Sequence, residues 1–153
     1  GYKLPLAVKR GYHMHYRPAG NAVLNHTVLD AENGYVLAPM ARGIRLTTGA
    51  EFADRDAPPT PVQIERTEPH ARKLFPLDGR LDPKPWMGSR PSLPDGLPAL
   101  GAAPGLANAW FAFGNSHFGL SAGPVMGKVA AELVAGRAPS VDLEAFRPER
   151  FGH

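Results

Sequence analysis

The stretch that decides the fold runs from Asn108 to Gly136: Asn108-Ala-Trp-Phe-Ala-Phe-Gly114, Asn115-Ser-His-Phe-Gly-Leu-Ser-Ala-Gly123, then Pro124-Val-Met-Gly-Lys-Val-Ala-Ala-Glu-Leu-Val-Ala-Gly136. The first piece is short, apolar and aromatic-rich, which predicts a buried strand. The last repeats apolar residues at helical spacing, with Val125, Val129 and Leu133 on one row and Met126, Ala130 and Val134 on the next. Ser121 is placed to cap the helix, Pro124 suits a first turn, and Gly136 is placed to end it. A strand, a glycine-punctuated turn and a helix N-terminus together present free N–H groups and a positive dipole end. Such a device holds an anion or an electron-rich carbonyl edge, and the turn is expected to touch a cofactor.

Two other readings compete. Gly119, Gly123 and Gly127 fall four apart, a spacing that also serves close packing of a helix on a sheet. It also marks transmembrane dimers, but Lys128, Glu132 and the short apolar run argue against a span. The loop superficially resembles the hydrolase elbow Gly-x-Ser-x-Gly, yet Phe118 stands where the second glycine is required. A serine hydrolase is discounted.

The totals set bounds. At 153 residues, with 43% apolar and 20% charged content, the chain has globular values and length enough for a core. Gly 17 and Pro 17 imply many turns, as in a loop-rich β or α+β fold. With Cys 0, disulfides and thiolate metal sites are excluded, which is compatible with a reducing compartment. The net charge of +3 comes from scattered Lys and Arg, not the basic stripe of a nucleic-acid binder.

In chain order, Leu4–Val8 and Tyr12–Tyr16 read as two strands separated by a break at Lys9-Arg10-Gly11. Tyr12, Met14 and Tyr16 share one face of the second, His13 and His15 the other. The histidine pair has the spacing to share a metal, but no third ligand follows at a matching spacing, so it reads as solvent-facing or hydrogen-bonded imidazoles. Thr27–Asp30, Tyr35–Pro39 and Gly43–Thr48 read as further strands of an antiparallel sheet, with Asn33-Gly34 as a hairpin turn. Thr60, Pro61 and Gln63 signal a helix start, Pro69 is expected to bend or break that helix, and Pro76 ends it. A loop to Pro85 is expected next.

Trp86-Met-Gly-Ser-Arg90-Pro91-Ser-Leu-Pro94-Asp95-Gly-Leu-Pro98 leaves the backbone little freedom. A rigid segment is suited to presenting one long side chain at a fixed point, and Arg90 can clamp a carboxylate through two parallel hydrogen bonds. The competing reading is an internal salt bridge, for example to Asp95. The tail reads as a clasp anchored by Phe146 and Phe151.

Trp86-Met-Gly-Ser-Arg90-Pro91 with Gly101, Gly114-Asn-Ser-His-Phe-Gly-Leu-Ser-Ala-Gly-Pro124-x-x-Gly127 and Phe146…Arg150-Phe151 together resemble the D-amino acid oxidase family, FAD-dependent amine and amino-acid oxidoreductases, with the D-amino-acid dehydrogenase branch nearest. Arg10-Gly11-Tyr12, Tyr35–Pro39 and Gly43–Glu51 agree in order. The family's nucleotide fingerprint, Gly-x-Gly-x-x-Gly after a first strand, is not present in these residues. The resemblance therefore implies a piece of a longer protein: an α+β fold in which residues 1–85 are part of the substrate-binding domain. Residues 86–153 would form a C-terminal flavin-facing strand, loop, helix and tail that packs on a Rossmann FAD domain outside these residues.

By the same resemblance, Arg90 is similar to the family's carboxylate-binding arginine. Tyr35 is similar to its substrate-orienting tyrosine, with one extra residue before the proline. Gly88, His117, Phe118, Gly119, Leu120 and Ser121 resemble the flavin-facing turn. The implied reaction is hydride transfer from the α-carbon of an amino acid to FAD, giving an imino acid that water hydrolyses. The implied partners are a small amino-acid substrate and the Rossmann portion of the same protein. A homo-oligomer is open, and the implied setting is the cytoplasm, with peripheral membrane association open for the full enzyme. The alternative is a non-catalytic binding or subunit-association module completed by a separate FAD-binding chain. Bound flavin separates the two.

Overall fold

A computed structural model describes residues 2–152, and the chain divides into two compact units, residues 10–89 and residues 1–9 with 90–153.

The first unit is built on an antiparallel sheet ordered β2-β3-β4-β1-β5, where β1 is Ala7–Pro18, β2 Val28–Asp30, β3 Tyr35–Met40, β4 Gly43–Glu51 and β5 Leu77–Arg80. A sixth strand, β6 (Trp86–Ser92), also pairs with β1. The helix α1 (Val62–Leu74) covers one face. Alternation does the sorting: Tyr12, Met14, Tyr16, Tyr35, Leu37, Ile44 and Leu46 all point inward onto Ile64 and Ala71.

The expected break at Lys9-Arg10-Gly11 is absent. β1 is one strand with a bulge between Gly11 and His13. Arg10 is fully buried in it and donates from Nε to Glu51 Oε2 at 2.6 Å, with further bonds to the Asp54, Ala57 and Pro58 carbonyls. Tyr12 donates to the same Glu51 oxygen and accepts from the Thr60 N–H. The 52–60 connection is thus tied down by a buried cation, and the Arg10 hydrogen bond, ahead of Thr60 and Tyr12, holds the Glu51 carboxyl below its ordinary range.

The same contact shifts the start of α1. The Thr60 hydroxyl bonds Glu51, so α1 begins at Val62 without a side-chain cap. Nor does Pro69 break the helix, because its exposed ring leaves the buried row of Ile64, Thr67 and Ala71 intact.

The stretch expected as a loop before Pro85 contains β5, which pairs with the end of β1. Glu68 on α1 secures it: Oε1 accepts from Arg72, and Oε2 accepts from Arg80 Nε at 3.0 Å and Tyr16 Oη at 2.9 Å. Burial pushes the Glu68 carboxyl up, but Arg80, Arg72 and Tyr16 outweigh it and hold it below the usual carboxylate range. A depressed folded-state value means stability present above the unfolded value and lost as pH falls through the folded one. The wild-type protein is therefore expected to lose stability with acid in the range below the ordinary Glu value. Glu68→Gln should be less stable at neutral pH and show a shallower loss there, read from urea midpoints across pH. Parallel pH curves for the two proteins would reject this account.

In the second unit, β7 (Ala99–Ala102) and β8 (Trp110–Phe113) form a hairpin-like antiparallel pair. The helix α2 (Gly119–Val134) packs Met126 and Val129 against Leu100, with Leu143 and Phe146 of the tail joining them. The tail clasp is real, but its key residue is Arg150. It donates to Asp95 Oδ2 at 2.7 Å, to the Leu97 carbonyl and to the Phe146 and Arg147 carbonyls, and its guanidinium lies over Phe151. The α+β class with antiparallel sheets and the predicted strand-turn-helix are both observed.

Candidate functional site

Within the second unit, the end of β6 and the turn before α2 are stitched together. The Ser116 N–H donates to the Pro91 carbonyl at 2.9 Å, Ser92 bridges to Asn115, and the Ser92 hydroxyl meets the Ser116 hydroxyl at 3.1 Å. Gly114 makes this approach possible. Its φ is +81°, and a Cβ there would stand 3.0 Å from Leu93 Cδ1. Ser116 itself takes the left-handed conformation, φ 48°, uncommon for a residue with a side chain. That strain aims its hydroxyl between Ser92 and His117, with His117 Nδ1 3.2 Å away.

Arg90 stands one residue before this seam. The expected alternative partner, Asp95, is already held by Arg150. Arg90 NH1 is buried and finds no hydrogen-bond partner among the described residues. A buried guanidinium nitrogen without an acceptor is costly, and a bound anion would satisfy it. The imidazole of His117 is exposed, yet partial burial, then the charges of Arg90 and Lys9, hold its pKa below the ordinary histidine value.

α2 begins at Gly119 with Phe118 at its cap position, three residues earlier than a cap at Ser121 implies. Ser121 is therefore not the cap; its hydroxyl turns back to the Phe118 carbonyl at 3.2 Å. No side chain caps this helix start, and the first N–H bonded from the turn into the helix is that of Ala122, to the Phe118 carbonyl. The preceding N–H groups of Gly119, Leu120 and Ser121 lie at the positive end of a helix of 16 residues. Phe118 and Leu120 are exposed beside them, Leu120 at 96%. A Cβ on Gly123 or Gly127 would meet nothing within 4 Å, so neither glycine serves packing within this chain.

Tyr35 and Gly88 belong to the first unit. Tyr35 faces the core, 1% exposed, and burial, followed by the neighbouring Asp30 carboxylate, pushes its pKa up to about 12. Gly88 lies beneath the Trp86 indole, which stacks on His13 at 4.8 Å. His15 is buried rather than solvent-facing, edge-on to His13, with Nδ1 3.6 Å from Asp82. No group of three His, Asp or Glu among the described residues is arranged to hold a metal ion. No described helix is long and apolar enough to cross a membrane.

Sequence reasoning missed Ser92, Ser116 and Arg150. The signal for Ser116 was present, a small polar residue two positions after Gly114 in a turn. The Ser92 and Arg150 contacts span 24 and 55 residues and have no local signature.

A family model described as DAO, FAD dependent oxidoreductase, matches residues 1–133. The chain belongs to this family. A D-amino-acid oxidase of Bradyrhizobium diazoefficiens is 32% identical to it, and a D-amino acid dehydrogenase of Paramagnetospirillum magneticum 33%. Each match takes in 99% of this chain but only 37% and 36% of those proteins, so the chain spans little more than a third of their length. The crystal structure of glycine oxidase from Geobacillus kaustophilus superposes with a TM-score of 0.81 at 25% identity, over 97% of this chain and 40% of that one. An L-proline dehydrogenase from P. horikoshii, at 23% identity and TM-score 0.78, shares the fold.

Proposed function

We propose that the chain is the carboxylate-anchoring and cofactor-contacting part of a flavoprotein that oxidises the C–N bond of an amino acid, most simply a D-amino acid, to the imino acid. The observation that carries this reading is Arg90: a buried, unpartnered guanidinium nitrogen on a rigid strand end, with the nearby acid Asp95 committed elsewhere. Planar guanidinium suits a substrate carboxylate in a two-point contact. Tyr35 is assigned to orienting the substrate by the family resemblance.

The uncapped start of α2 fits the electron-rich edge of a flavin. There, Gly119, Leu120 and Ser121 supply N–H groups, with His117 and Phe118 beside them; Gly88, in the other unit, is assigned to the cofactor by the family resemblance. FAD, when bound, supplies the acceptor for the substrate's electron pair. The chain's own residues bind and orient: Arg90 fixes one end of the substrate and thereby sets where its α-carbon lies. In this reading residues 1–85 contribute to the substrate-binding domain and 86–153 to the flavin-facing elements.

The test uses the complete protein. It should purify with a flavin spectrum, and anaerobic addition of D-amino acids should bleach the flavin band faster than their L-enantiomers. A complete protein that binds no flavin would remove the reading and leave a binding module. Faster bleaching by L-amino acids would overturn only the stereochemical part.

A further inference from the structure

His117, Ser116 and Ser92 form a hydrogen-bonded line whose inner end, Ser92, lies two residues along β6 from Arg90, the cation whose charge bears on His117: Ser92 Oγ to Ser116 Oγ at 3.1 Å, and Ser116 Oγ to His117 Nδ1 at 3.2 Å. Nothing in the anchoring of a carboxylate needs this line, and Ser116 adopts a strained φ of 48° to complete it. Ser92 is 2% exposed, so the inner end is fixed, whereas the imidazole at the outer end is open to a ligand. We infer that His117 is the proton acceptor for the ammonium group of the substrate, oriented by the Ser92–Ser116 hydroxyl pair next to Arg90. This rests on the reading of Arg90 as the carboxylate anchor.

The chemistry requires such a group. An amino acid reaches the site with a protonated amine, and the nitrogen needs a free electron pair before a C=N bond can form. In the proposed step one N–H bond of the ammonium breaks, the proton joins His117 Nε2, and the nitrogen keeps the pair. No oxidant enters this step. In the tautomer whose Nδ1–H donates to Ser116 Oγ, Nε2 presents its lone pair. The exposed imidazolium then returns its proton to solvent.

The electrostatics favour the right order of events. The charged groups that bear on the ring are Arg90 from β6 and Lys9 from β1, both cations, and they join partial burial in keeping it neutral in the free protein. A carboxylate bound at Arg90 offsets one of those charges. The carboxylate thus strengthens the ring as a base, against the opposing charge of the ammonium until its proton has passed.

The experiment compares wild-type, His117→Asn, Ser116→Ala and Arg90→Ala forms of the complete flavoprotein. With a base present, kcat/KM should be flat from the His117 value up to the substrate amine's own pKa. In His117→Asn that plateau should give way to a tenfold rise per pH unit towards the amine pKa, with a loss of roughly 100-fold at pH 7. Ser116→Ala should keep the plateau at a reduced height. Calorimetry with isobutyrate, a carboxylate without an amine, supplies a readout independent of turnover. Wild-type protein should take up protons on binding it near neutral pH, and His117→Asn should not. A His117→Asn protein that keeps both the flat profile and the proton uptake overturns this inference alone, provided Arg90→Ala has lost isobutyrate binding. If Arg90→Ala binds isobutyrate as well as wild type does, the anchor reading falls, and this inference with it.

Discussion

Replacing Arg90 with alanine in the complete protein is expected to cut kcat/KM for an amino acid by roughly 30- to 1000-fold, about 2–4 kcal/mol for a charge-assisted pair. The size follows from what the site leaves undone. NH1 of Arg90 is already desolvated and unpartnered, so the desolvation cost of one nitrogen is met before substrate arrives, and the carboxylate gains a preorganised contact. Truncation removes the contact and leaves the carboxylate facing a cavity. The loss should fall mainly on KM, because the anchor binds ground state and transition state alike. Arg90→Lys should recover only part of it, since an ammonium cannot reproduce two parallel donors. Steady-state kinetics on the three proteins decide the matter. An unchanged kcat/KM in Arg90→Ala would show that the carboxylate is held elsewhere.

That prediction could be written from the sequence only as one of two alternatives. The rigid Pro-rich context of Arg90 was legible, because proline and glycine act locally on the backbone. Whether Arg90 was free depended on Arg150, 60 positions later in the chain, reaching Asp95 first. The hairpins around Asn33-Gly34 and the apolar rows of α2 were legible for the same local reason: period and turn chemistry belong to neighbouring residues. Helix starts were misplaced wherever a capping side chain had a better partner at a distance, as Thr60 has in Glu51, or turned back on its own helix, as Ser121 does. Leu77-Asp-Gly-Arg80 has no alternation of its own and becomes a strand because β1 offers it an edge. Arg10 looked like part of a break because a charged residue beside glycine normally is one. Its burial is offset by the Glu51 carboxylate, the Tyr12 hydroxyl and the carbonyls of residues 54, 57 and 58, all brought to it from elsewhere in the chain.

The largest effect on stability is expected at Leu46. It sits in the middle of β4, opposite Met14 of β1 on one side and Leu37 of β3 on the other, so one apolar row crosses three strands. All three side chains are at most 1% exposed, and α1 closes over them with Ile64 and Ala71. Leu46→Ala removes buried methyl groups from the centre of that row. Its neighbours, pinned by ladder hydrogen bonds on both sides, have little freedom to collapse into the space. Such a site belongs at the upper part of the Leu→Ala range, about 3–5 kcal/mol. Leu29→Ala, on the exposed side of the edge strand β2 and 67% accessible, provides the control and should change stability by less than about 0.5 kcal/mol. Denaturant unfolding followed by far-ultraviolet dichroism measures both, with the slope unchanged and the midpoint shifted in the first case only. If Leu46→Ala lost no more than Leu29→Ala, α1 could not be packed on this face of the sheet. The register that joins β1, β3 and β4 would then have to be redrawn, since a slip of one residue turns Leu46 to the opposite face.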